Sequence, residues 1–114
     1  MGRIPLGKTM ATISEKDWRY LRSVQAEMLD ELSRRINDEV RQVLASADFT
    51  ENEKRGKIYD VVTRRDRIVA DCFDGWSRSR IIEHCWILRK HGLLKAEHLA
   101  KLDPQTQKAI MPFG

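Results

Sequence analysis

From Trp18 to Leu44 the apolar positions of this chain return every third or fourth residue: Trp18, Leu21, Val24, Met28, Leu29, Leu32, Ile36, Val40, Val43 and Leu44. That is the period of a helix with one covered stripe. Ser14 is placed to cap it, with Asp17 at the capping-box position instead of the usual Glu. No Gly or Pro interrupts the run before Asp48, so roughly 33 residues rising about 1.5 Å each make a rod of about 50 Å. Asp48-Phe49-Thr50 reads as a turn, and Thr50 with Glu53 as the capping box of a second helix. The apolar positions of that helix are Ile58, Val61, Val62, Ile68, Val69, Cys72 and Phe73, and Gly75 ends or kinks it. A third helix is predicted from Ser77 or Ser79 to His91, with Gly92 as its left-handed terminator. Leu93, Leu94, Leu99 and Leu102 outline a short fourth, and Asp103-Pro104 opens a last turn or two. No run alternates long enough to make a strand.

The length of the first helix changes the picture. A compact domain of about 100 residues has a radius of gyration near 13 Å, so the later helices can cover only part of the rod. Leu29, Leu32, Ile36 and Val43 lie close to heptad spacing, and the natural cover for them is the same helix of a second chain. The expected fold is therefore all-α: a long N-terminal helix mediating a homodimer, followed by a small helical head.

Composition adds limits. The chain has 114 residues, 41% hydrophobic and 33% charged, which is one domain with little interior left for an enclosed active site. Residues 1–11 hold Pro5 and two glycines and read as a flexible leader; 12–114 read as the single helical domain. Twenty-one Lys and Arg against 17 Asp and Glu give a net charge of +4. The charges are interleaved, so the attraction to acidic partners is weak. No apolar run approaches the ~18 residues of a membrane span. Cys72 and Cys85 in apolar helical contexts read as reduced, buried thiols, and the chain as cytoplasmic.

No catalytic constellation emerges. His84, His91 and His98 are evenly spaced, but Gly92 breaks the helix between the last two, and no second ligand motif accompanies them; they read as surface or interface histidines. Asp60, Asp71 and Asp74 read as solvated or ion-paired carboxylates with no apparent cleft between them. No glycine-rich phosphate loop and no Ser-His-Asp arrangement is present, and no cofactor or metal is implied. Trp76-Ser77-Arg78-Ser79-Arg80, with Arg64, Arg65 and Arg67, carries two readings. One is a basic patch for nucleic acid; the favoured one is a solvated helix start whose tryptophan packs on the core.

From Tyr59 onward the chain resembles the fluorescence recovery protein family. Tyr59-Asp60 stands at the family's His-Asp pair, Phe73-Asp74 at its Tyr-Asp pair, and Ser79 at the serine that follows. Ile81-Ile82 opens the aliphatic helix, Lys90-His91-Gly92-Leu93-Leu94 matches the turn, and Glu97-His98-Leu99 the next helix start. The resemblance implies a small helical dimer that binds photoactivated orange carotenoid protein and speeds its return to the resting state. It implies a partner surface at Asp60, Arg64 and Arg65, with Tyr59 beside them. Two positions depart: Gly56 stands where the family has a tryptophan, and Tyr59 where it has a histidine. Loss of an aromatic anchor of the hot-spot kind bears on the photoprotective activity more than on the fold. The expected protein is a non-enzymatic regulator whose partners are a second copy of itself and a carotenoid-binding protein. The alternatives are a nucleic-acid-binding regulator or a structural dimeric adaptor.

Overall fold

The structure is a computed structural model and describes residues 13–111; the expected leader, residues 1–11, lies outside them. Among the described residues five helices follow in order: α1 Glu15–Ala45, α2 Glu51–Phe73, α3 Ile81–Lys90, α4 Ala96–Leu99 and α5 Pro104–Ile110. No strand occurs among the described residues. α1 and α2 form a long antiparallel hairpin, and α3 to α5 pack at the end where α1 begins and α2 finishes.

Local chemistry sets the boundaries. The Ser14 hydroxyl accepts the Asp17 N–H at 3.1 Å and starts α1. The capping box at Thr50 and Glu53 forms in both directions, at 3.1 and 2.9 Å. Two glycines take the left-handed conformation that side chains resist: Gly75 at φ +72° just after α2, and Gly92 at φ +69° after α3. Beyond Gly92 the Leu93 N–H returns to the Leu88 carbonyl at 2.9 Å, the six-to-one bond of a Schellman stop. Arg35 on α1 reinforces this end, donating to the carbonyls of His91 at 2.7 Å and Gly92 at 3.2 Å. α3 starts at Ile81, later than Ser77 or Ser79, because residues 78–80 close a separate turn with Arg80 N–H on the Ser77 carbonyl.

Asp17 departs from the expected capping box. Its side chain is buried and does not return to Ser14. It accepts the Asp103 N–H at 3.1 Å and the Thr106 hydroxyl at 2.6 Å. A carboxylate on α1 thus caps α5 from 86 residues away in sequence, where helix N-terminal N–H groups favour negative charge. Asp103 stands at the N-cap of α5 as expected, but its own carboxylate pairs with Lys16 at 2.8 Å and accepts the Ser14 hydroxyl.

The core lies at one end. Leu21, Val24, Met28 and Leu32 of α1 meet Cys72 of α2, Ile81, Ile82, Cys85 and Leu88 of α3, and Leu93, Leu94, Leu99, Leu102 and Ile110. Trp18 and Trp76 pack at its edge with ring centroids 6.4 Å apart. Past Leu32 no residue of α1 is fully buried, and in the first half of α2 only Val61 is. The rest of the hairpin leaves the head as an arm. The molecule measures 66 × 27 × 24 Å with a radius of gyration of 18.2 Å, well above the roughly 13 Å of a compact chain of this length.

Candidate interaction surfaces

The arm has two unlike faces. A helix turns about 100° per residue, so each flank can be counted from the line where α1 and α2 touch. Because the helices are antiparallel and face each other, counting forward reaches the same side of the hairpin in both. On that side α1 places Leu29, Ile36, Val40 and Leu44, with Val43 nearer the contact line, and α2 places Tyr59, Val62, Val69 and Phe73. Ser33, Arg55 and Asp66 are among the polar members of this flank. Counting backward, α1 places Glu31, Asp38 and Gln42, and α2 places Lys57, Asp60, Arg64 and Arg67. One face of the arm is apolar and the other charged.

The apolar face is incompletely covered. Tyr59 is 70% exposed, Leu44 52% and Val62 40%, while Leu29, Ile36, Val40 and Val43 are half-buried. Three of the four residues expected at a dimer interface belong to or border this face. Leu32 does not: it is only 4% exposed, inside its own chain's core. Its heptad position could not reveal this, because the same spacing serves an intramolecular partner equally well.

The residues that the family resemblance puts on a partner surface do not form one patch. Asp60 and Arg64 are exposed and border an open hollow with Thr63 and Arg67. Arg65 turns inward and holds Glu39 of α1 through two bonds, at 2.7 and 3.0 Å. The guanidinium keeps the Glu39 carboxyl below the usual carboxylate range. Arg65 therefore ties the arm together, beside a groove of about 280 Å³ that also involves Leu32, Arg35, Ile36, Ile68 and His91. Tyr59 points to the apolar flank, roughly a right angle from Asp60.

Trp76 packs on the core, as the favoured reading of this stretch expects, and the arginines beside it are hydrogen-bonded within the chain. Trp76 stacks on Phe73 with centroids 6.1 Å apart and donates its indole N–H to the Cys72 carbonyl at 2.8 Å. Arg78 is bound to the Ile13 carbonyl and Glu15, and Arg80 to Glu83.

Two of the three histidines are buried, not at the surface. His98 Nδ1 accepts the Lys95 N–H at 2.8 Å, so the proton sits on Nε2, which donates to Glu27 at 3.0 Å. His84 donates from Nε2 to the Asp74 carbonyl at 2.8 Å. It shares a hollow of about 250 Å³ with Asp71, Asp74, Arg80 and Glu83, so the two aspartates do meet a small cleft. There the imidazole is engaged with the backbone and Arg80 with Glu83. Among the described residues no group of three or more His, Cys, Asp or Glu could hold a metal ion. Cys72 and Cys85 are both buried and unbridged, and burial pushes their thiols up to about 11 and about 12, far from nucleophilic range. No helix among the described residues is long and apolar enough to cross a membrane.

Comparison with protein-family models, with curated proteins and with solved structures finds no significant match to this chain.

Proposed function

We propose that this chain is a non-enzymatic binding protein that works as a homodimer, similar in its action to fluorescence recovery protein. One observation carries the reading: a helical arm leaves the head with an uncovered apolar face on one side and a charged face on the other. Two such arms laid apolar face to apolar face make a four-helix bundle, which covers Leu29, Ile36, Val43 and Leu44 of each chain and turns both charged faces outward. Tyr59 and Val62 then belong to the dimer seam. Asp60 and Arg64 remain as the partner surface, without Arg65.

A protein of this kind acts by preferring one conformation of its partner, because a ligand shifts an equilibrium only by its difference in affinity for the two states. On the family resemblance that partner is a photoactivated carotenoid protein. Gly56 lies on the outer side of α2, and a Cβ added there meets nothing within 4 Å, so an aromatic side chain would fit.

The test is the dark decay of photoactivated orange carotenoid protein with and without this chain, alongside its mass by light scattering. A mass about twice the 13.3 kDa of one chain together with faster decay supports the whole reading, and Gly56→Trp should then accelerate the decay further. A dimer that leaves the decay unchanged, with Gly56→Trp equally silent, keeps the assembly and removes the carotenoid protein as partner. A monomer at micromolar concentration removes the assembly.

A further inference from the structure

Trp86 is the third tryptophan of the chain, and it does not join the other two. Trp18 and Trp76 pack against the core, whereas Trp86 on α3 is 48% exposed. Its indole N–H donates to the Ala109 carbonyl at the end of α5, at 3.0 Å. That bond fixes the ring in place while leaving much of its apolar surface in water. An aromatic held in one orientation before binding loses little entropy when a partner covers it, and tryptophan is the residue most enriched among interface hot spots.

Glu83, one turn before Trp86 on α3, is paired with Arg80, and the unpaired charge near the ring is basic. Lys90 lies four residues on, on the same face of α3, and Lys108 adjoins the Ala109 that holds the ring; both are exposed. Across the C-terminal part of the head, Arg89, Lys90, Lys95, Lys101 and Lys108 face only two acids, Glu97 and Asp103, and Asp103 is already paired with Lys16. None of those five cations meets a carboxylate among the described residues. On α1 the balance is opposite: Lys16, Arg19, Arg34, Arg35 and Arg41 each have a carboxylate within ion-pair distance.

We infer that the surface of α3 and α5 around Trp86 is a docking site for an acidic protein segment that carries an apolar or aromatic side chain. The apolar group covers the indole, and the flanking carboxylates meet Lys90 and Lys108. The small number of cations beside the ring favours an acidic protein segment over nucleic acid. Two lysines beside one aromatic suffice for a short acidic peptide, whereas nucleic-acid affinity rests on many phosphate contacts and repeated stacking. This surface is on the head, separate from the apolar face of the arm, so it does not depend on the dimer or on any carotenoid protein.

The experiment is fluorescence anisotropy at low salt with a fluorescein-labelled peptide of repeating Glu-Leu-Asp-Phe units. A Lys-Leu-Lys-Phe peptide and an oligothymidylate of equal length serve as controls. The acidic peptide should bind saturably, more weakly as salt rises, and roughly tenfold or more weakly to Trp86→Ala. Because that variant also frees the Ala109 carbonyl, Lys90→Glu/Lys108→Glu is the second probe. It changes only exposed side chains, and it should weaken the acidic peptide by a similar factor while its circular dichroism and melting stay unchanged. The inference is overturned if the acidic peptide binds no better than the basic one, or if the double charge reversal leaves its affinity intact. It is overturned equally if the oligothymidylate binds as tightly and loses its affinity in the double variant.

Discussion

Head and arm are built from the same two long helices, yet only the head closes a core. In the head, α1 has α3, α4 and α5 to lie against, and its stripe of Leu21, Val24, Met28 and Leu32 is buried. In the arm the only partner is α2, and two helices can cover each other along one line. The apolar residues beside that line, Val40, Leu44, Tyr59 and Val62, are left half-covered or open. The difference teaches that α1 is not one structural unit. Its first half is a core helix of a small domain, and its second half is an arm held out from that domain.

Substitutions should separate the two regions. The largest effect is expected in the head. Leu88→Ala removes a fully buried side chain of α3 and should cost about 3 kcal/mol of unfolding free energy, read from urea denaturation at a fixed protein concentration. Asp17→Ala comes next. It leaves the Asp103 N–H and the Thr106 hydroxyl without their acceptor, and should cost about 2 kcal/mol, with hydrogen exchange rising first in α5.

In the arm the expected effect is on assembly. Ile36→Glu and Tyr59→Glu place charge on the apolar face and should convert the proposed dimer to monomer in light scattering. Asp60→Ala, on the opposite face, should leave the mass unchanged. Equal behaviour of Tyr59→Glu and Asp60→Ala would break the two-face description. Gly56→Ala is smaller and of opposite sign. The site is open and its backbone is helical, so the alanine should stabilise the arm by about 1 kcal/mol.

The smallest effect is that of acid. Glu31 is held below the usual carboxylate range by Arg34 and Arg35, Glu39 by Arg65, and Asp103 by Lys16. A carboxyl depressed in the folded state contributes stability above its unfolded value and loses it as pH falls through the folded one. The melting temperature should therefore drop below about pH 4.5, modestly because these pairs face solvent, and less at high salt. No drop between pH 4.5 and 3 would show that these pairs contribute nothing to the fold.

What the sequence by itself determined was local. The helix-period stripe of α1, the Thr50–Glu53 capping box, the left-handed Gly92 and Pro104 at the first position of α5 rest on interactions within a few residues, so neighbouring letters are enough to read them. The tertiary structure decided everything that depends on which residue comes near from a distance. Leu32 faces its own chain. Arg65 pairs with Glu39 across the hairpin. Trp76, just after the left-handed Gly75, packs against the core, while Trp86, inside α3 next to the buried Cys85, opens to solvent. Asp17 looks like half of a local capping box, and its carboxylate serves a helix that begins 87 positions later. A period of 3.6 tells which residues share a face; only packing tells what that face meets, because burial and ion pairing depend on groups the local sequence does not contain.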